Sequence, residues 1–118
     1  AVKMMIDLLA GTPARRRIAV LGEMLELGAW SESLHREVGE YAAGRGIDVV
    51  AGVKGGAAAL AEAAANASGH RPETVFFDTP AEAGRWLRSI VLEGDAILFK
   101  GSRGTKVEEA LAAFMESD

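Results

Sequence analysis

Apolar residues recur along this chain in two rhythms. Val2, Met5, Ile6 and Leu9 fall at i, i+3, i+4 and i+7, the stripe of one helix face, and Gly11 and Pro13 follow as stop signals. Other runs are short and nearly continuous: Ile18-Ala19-Val20-Leu21, Ile47 to Val53, Thr74-Val75-Phe76-Phe77 and Ala96-Ile97-Leu98-Phe99. Runs of that kind predict strands buried on both faces, because a strand with one wet face alternates in polarity. Helical spacing returns between them. Ser31 is placed to cap a helix whose apolar face is Leu34, Val38, Tyr41 and Ala42, with Glu32 and His35 flanking it and Gly44 and Gly46 ending it. An Ala-rich helix follows Lys54-Gly55-Gly56 and is expected to reach about Ser68. Thr79-Pro80-Ala81-Glu82 reads as a capping box with proline at the first helical position, opening a helix that buries Ala83, Leu87, Ile90 and Val91. Thr105-Lys106-Val107-Glu108 has the same spacing, with Thr105 as N-cap, before a helix carrying Val107, Leu111 and Phe114.

The order helix, strand, helix, strand to the end predicts an α/β fold: a Rossmann-like, doubly wound, mostly parallel sheet with helices on both faces, in three α/β/α layers. Residues 1–118 read as a single domain, without repeat, linker or low-complexity segment. Ligands of such sheets sit at the carboxyl ends of the strands. Those ends are Gly22 to Gly28, Val53 to Gly56, Phe77 to Thr79 and Lys100 to Gly104, and the first and last carry the most polar chemistry.

Composition narrows the function. A net charge of −4 leaves no global basic field for nucleic acid, so an anion site has to be local. The absence of cysteine removes disulfides, thiolate metal sites and thiol nucleophiles, and suits a cytoplasmic protein. No apolar run nears the roughly 20 residues that span a bilayer. The helical pattern is already under way at Ala1, so the chain is expected to be a piece of a longer one.

The stretch Lys100-Gly101-Ser102-Arg103-Gly104 offers an ammonium, a guanidinium, a hydroxyl and two glycines between a strand and a helix start. Free amide groups, the helix dipole and two cations favour an anion there. An ordinary turn with solvated cations is an equal reading from chemistry alone. The segment is not a P-loop, whose glycine-to-lysine spacing it lacks, and no Gly-x-Gly-x-x-Gly occurs, which disfavours a Rossmann NAD site. Glu23 and Glu26, in the loop after the first strand, can receive an ammonium or support a metal-bound phosphate, or can simply face water. His35 lies near the same loop, where a lone helical histidine is more often a structural hydrogen-bonding group. Arg15-Arg16-Arg17 reads as a solvated strand entry, Asp48 sits at the wrong end of the sheet, and Trp30 and Trp86 read as part-core or domain-contact residues. Asp48 and Asp78 are too scattered for the acidic cluster of a receiver domain.

Ala19-Val20-Leu21-Gly22-Glu23-Met24-Leu25-Glu26-Leu27-Gly28, Ser33-x-His35-x-x-Val38-Gly39, Gly46-Ile47-Asp48 and Leu98-Phe99-Lys100-Gly101-Ser102-Arg103 together resemble the carboxy-terminal domain of the Mur ligases. The resemblance runs over nearly the whole chain, and the Gly-Glu-Met-x-Glu-Leu-Gly and Lys-Gly-Ser-Arg pieces are the specific ones. It points to the branch of the family that joins D-alanyl-D-alanine to UDP-N-acetylmuramoyl-tripeptide in peptidoglycan synthesis. It implies a three-domain cytoplasmic enzyme in which ATP phosphorylates a carboxylate and the dipeptide amine attacks the acyl phosphate. The last domain then positions the dipeptide and closes the site. Lys100, Gly101, Ser102 and Arg103 are implied at the dipeptide carboxylate, Glu23 and Glu26 near the incoming amine or the phosphates, and His35 as a brace for their loop. ATP, magnesium, the P-loop, a carbamylated lysine and the UDP-sugar site belong by the same resemblance to domains outside this chain, as does an Asn-Ala-Asn-Pro-like ATP contact before Ala1. The chain alone is therefore expected to lack catalysis and to bind ATP poorly. Folylpolyglutamate synthase, another amino-acid-adding ligase, and a stand-alone anion-binding module are the alternatives.

Overall fold

A computed structural model of the chain describes residues 2–25 and 28–116, with Arg103 described through its backbone alone. Strands β1 (Arg16–Gly22), β2 (Val49–Val53), β3 (Glu73–Phe77) and β4 (Asp95–Lys100) form one sheet in the order β3-β2-β1-β4. Every pairing is parallel, so the expected sheet is parallel throughout among the described residues. Strands 1 to 3 step outward to one side and β4 is laid on the other side of β1. The winding reverses between β1 and β4, the topological switch point where crevices open in such sheets.

Helices cover both faces, as parallel strands require. Helices α1 (Val2–Ala10), α2 (Ser31–Gly44) and α3 (Ala57–Ala65) enclose one core with Ala19, Leu21, Ile47, Val50 and Leu98. Helices α4 (Pro80–Ile90) and α5 (Glu108–Met115) enclose a second with Ile18, Val20, Val49, Ala51 and Val53. Successive residues of β1 thus feed opposite cores, which is why the run Ile18 to Leu21 shows no polar alternation. Close helix contacts rest on small residues: a side chain at Gly39 would run into the backbone of Leu60, and one at Gly84 into that of Ala110.

Several boundaries differ from the sequence reading. Ser31 does not cap α2; Trp30 occupies that position without a side-chain bond, and the Ser31 carbonyl accepts a hydrogen bond from His35 instead. Helix α3 stops at Ala65, short of Ser68. The box at Thr79 forms, with its hydroxyl accepting from Glu82 N–H at 3.3 Å and donating to the Glu82 carboxylate at 2.8 Å. That helix ends at Ile90, because Val91 turns extended. Thr105 does not cap α5, whose N-cap is Val107; its hydroxyl is committed elsewhere, to a carbonyl of the neighbouring turn.

At the amino edge of the sheet Arg16 and Arg17, expected from sequence to be part of a solvated strand entry, are instead bonded into the fold. Arg16 forks onto Asp95 at 2.7 and 3.1 Å across the first register pair of β1 and β4, and also donates to the Ile90 carbonyl. Arg17 donates to the Thr12 carbonyl, and its amide donates to the Asp48 carboxylate. Asp48 therefore serves the strand entry, away from the ligand edge. The hydrogen bonds from Arg16, aided by the Leu92 amide and opposed by burial, hold the Asp95 carboxyl below the usual carboxylate range.

A depressed acid contributes stability above its unfolded pKa, near 3.9, and loses it as pH falls through the lower folded value. Asp95→Asn should therefore cost about 2 kcal/mol at pH 7, in line with a charged hydrogen-bonded pair whose carboxylate side chain is 2% exposed. Denaturant unfolding of both proteins checks this: the gap should close progressively as pH falls below about 4. A gap constant from pH 7 to pH 2 would contradict the ion pair's role.

Candidate functional site at the carboxyl edge

The turns that leave β1 and β4 meet at the switch point. They lie close because no side chain separates them: an added Cβ at Gly101 would stand 3.1 Å from the Gly22 Cα. Glu23 then ties three turns. Its amide donates to the Val53 carbonyl at the end of β2, and its carboxylate accepts from the Gly56 amide at 2.8 Å, where α3 begins. Its carbonyl accepts from the Thr105 hydroxyl at 2.7 Å and from the Ser102 amide at 3.4 Å. The next two amides are also engaged. Met24 donates to His35 Nε2 at 2.9 Å, and Leu25 donates to the Ser102 hydroxyl oxygen at 2.9 Å.

His35 is wholly buried at 0% exposure and makes a second bond, its Nδ1 donating to the Ser31 carbonyl at 2.7 Å. Accepting at Nε2 and donating at Nδ1 fixes the neutral ring in the Nδ1–H tautomer. Its ring lies against Gly56, where a Cβ would come within 2.6 Å of it. The glycines of the Lys54-Gly55-Gly56 turn thus let both the Glu23 carboxylate and the imidazole approach the backbone. Lys54 itself takes a left-handed φ of 74° and Gly55 one of 48°, a sharp corner at the mouth of β2.

The residues singled out from sequence are distributed as follows. Lys100 closes β4, half-buried, and its ammonium has no hydrogen bond or ion pair among the described residues. Gly101 packs on Gly22, and Ser102 bonds the β1 turn through both its amide and its hydroxyl. The Arg103 backbone opens a 3-10 turn, Arg103–Thr105, while its side chain lies outside the described residues, as does the whole of Glu26. Glu23, His35, Gly101 and Ser102 are therefore one connected group. The Glu23 carboxylate is occupied by the protein's own amide rather than directed at open solvent. Thr105 and Gly22 were missed as members of this group; the glycine at the end of each strand was the available signal. Trp86 packs on Phe77 with centroids 5.5 Å apart, whereas Trp30, just past the β1 loop, is 70% exposed.

The chemistry on offer is anion and hydrogen-bond recognition. Among the described residues no group of three His, Asp or Glu side chains is placed to hold a metal ion. No helix among the described residues is long and apolar enough to cross a membrane. A surface hollow of about 360 Å³ lies between Glu40, Gly44 and Asn66 to His70, at the far ends of α2 and α3, away from this edge.

Because His35 is itself wholly buried, holds the part-buried Met24 amide and fills the space beneath the loop, His35→Ala should destabilise the chain by about 3 kcal/mol. Denaturant unfolding measures it, and a loss under about 1 kcal/mol would show that the β1 loop is held without the imidazole.

Comparison with known proteins places this geometry in a family. The model of the "Mur ligase, glutamate ligase domain" family matches residues 1–103. The UDP-N-acetylmuramoyl-tripeptide–D-alanyl-D-alanine ligase of Synechocystis sp. is 36% identical over 117 residues, covering 91% of this chain and 24% of the relative. The ligase of the same name from Escherichia coli K12 is 38% identical over 114 residues, covering 95% of this chain and 24% of the relative. The crystal structure of MurF from Acinetobacter baumannii superposes with a TM-score of 0.81 at 28% identity, over 98% of this chain and 25% of that one. MurF ligase from Thermotoga maritima, solved in complex with ADP, gives 0.77 at 28% identity, over 96% of this chain and 24% of that one. The chain spans about a quarter of the length of the relatives it matches. With the family model covering most of its length and its fold shared with solved ligases, this chain belongs to the Mur ligase family and carries that family's glutamate ligase domain.

Proposed function

We propose that residues 1–118 are the single carboxy-terminal domain of an ATP-dependent ligase that joins D-alanyl-D-alanine to UDP-N-acetylmuramoyl-tripeptide in the cytoplasm. The domain seats the dipeptide and closes over the reaction; bond formation needs the rest of the enzyme. The observation that carries this reading is the paired turns at the switch point. Among the described residues the Lys100 ammonium has no partner, and Ser102 brings a hydroxyl whose oxygen accepts from Leu25 and whose proton has no acceptor.

In this reading the dipeptide carboxylate binds the Gly101-Ser102-Arg103 segment. Arg103 supplies a two-pronged contact, Ser102 a hydroxyl donor and Lys100 a point charge. Glu23 and Glu26 border the dipeptide amine, with Glu23 acting mainly through the turns it joins, and His35 braces their loop. ATP and magnesium belong to the central domain and the UDP-sugar peptide to the domains outside this chain. The MurF relative solved with ADP supports nucleotide use by the whole enzyme. The resemblance in names among the relatives favours the D-alanyl-D-alanine branch over folylpolyglutamate synthase or another amino-acid-adding ligase.

Arg103→Ala in the full-length ligase tests the placement. Loss of a charged two-pronged contact predicts a Michaelis constant for D-alanyl-D-alanine raised by about 30-fold, with that for ATP within about twofold of wild type. Equal losses for both substrates would remove Arg103 from the dipeptide site.

A further inference from the structure

The switch-point crevice, where a doubly wound sheet ordinarily admits its ligand, is filled here by the protein itself. Thr105 is 1% exposed and lies between the two turns. Its hydroxyl donates to the Glu23 carbonyl at 2.7 Å, and its amide donates to the Ser102 carbonyl at 3.0 Å. Its methyl faces Gly22 so closely that a Cβ there would stand 2.6 Å from Thr105 Cγ2. Leu25 closes the other side, occupying the place a side chain on Gly104 would need. Directly after Thr105 the chain bends through Lys106 at φ 54°, a left-handed conformation that costs a lysine of order 1 kcal/mol.

We propose that Thr105 is a positioning residue: it clasps the β1 and β4 turns into one unit, so that Ser102 and Arg103 stand at a fixed offset from Glu23. The dipeptide then binds on top of a filled crevice, not within it. This inference rests on the reading of the Gly101–Arg103 segment as the dipeptide's seat, and it adds a residue that the seat itself does not contain. The hydroxyl acts through the Glu23 carbonyl and the methyl through Gly22. The seat is pre-organised because three hydrogen bonds, from Thr105, Ser102 and Leu25, all cross between the same two turns.

The test uses the full-length ligase with D-alanyl-D-alanine and ATP as varied substrates. Gly22→Ala pushes on the Thr105 methyl and should raise the dipeptide Michaelis constant about tenfold, leaving that for ATP within about twofold. Adding Thr105→Ser removes the methyl and keeps the hydroxyl, leaving the nearest neighbours of the new Cβ at 3.3 and 3.4 Å. The double variant should return to within about threefold of wild type. Thr105→Val, which keeps the shape and loses the hydroxyl, should match the Gly22→Ala loss, and it carries the test if Gly22→Ala does not fold. Arg103→Ala, which leaves the Ser102 hydroxyl and its bond from Leu25 in place, separates the two readings. If it raises the dipeptide constant while Gly22→Ala and Thr105→Val do not, the clasp is overturned and the seat stands. If Ser102→Ala and Arg103→Ala both leave it unchanged, the seat fails, and hydrogen exchange at the Leu25 and Ser102 amides judges the clasp alone. Exchange faster in Gly22→Ala and restored in the double variant supports the clasp; unchanged exchange overturns it.

Discussion

Two backbones touch where β1 and β4 end, and most of this domain's polar chemistry is arranged around that contact. Gly22 and Gly101 meet without side chains between them, and the carbonyl of Glu23 becomes the acceptor on which the opposite turn is hung. The sheet makes this contact necessary. A parallel strand buried on both faces has no polar side-chain positions along its length, so the hydrogen-bonding groups that distinguish one such sheet from another collect at its ends. Here the amino end is given to the Arg16–Asp95 and Asp48 contacts that hold register, and the carboxyl end to the turns that present Lys100, Ser102 and Arg103.

The carboxyl edge is rigid for a second reason. The amides of Glu23, Met24 and Leu25 each have a partner from a different element: β2, α2 and the β4 turn. An amide that loses its partner away from water costs about 1–3 kcal/mol, which applies to the part-buried Glu23 and Met24 and less to Leu25, which lies at the surface. Among the described residues the ammonium of Lys100 and the proton of the Ser102 hydroxyl have no partner, which is a combination that suits a small carboxylate. Such an edge can hold a small anionic ligand by charge and hydrogen bonding.

Much of the architecture was legible because helix and strand rhythms were undiluted: the runs at Ile18, Val49, Thr74 and Ala96 are all strands, although only β1 and β2 are buried as expected, while β3 and β4, at the two edges of the sheet, are mostly half-buried. The site was legible as a place, since the strand ends rich in glycine and charge were the first and the last. Its internal wiring was not. Thr105 has the local spacing of an N-cap, and nothing within four residues reveals that a carbonyl 82 positions away competes for its hydroxyl. Ser31 misled differently: the helix begins at Ser31 itself with Trp30 as N-cap, and the Ser31 hydroxyl lies 3.4 Å from His35 Nδ1. Glu23 looked like a solvent-facing carboxylate because sequence does not place Gly56 beside it. Local propensity yields to tertiary partners where loops from distant segments converge, and those are the positions that carry the chemistry.

The most direct measurement is a crystal structure of the full-length ligase with D-alanyl-D-alanine and a non-hydrolysable ATP analogue. The account predicts the dipeptide carboxylate within hydrogen-bonding distance of Ser102 and the Arg103 guanidinium, lying above an undisturbed Thr105. A dipeptide bound away from the turns that follow β1 and β4, or one that enters the crevice by displacing Thr105, would contradict it.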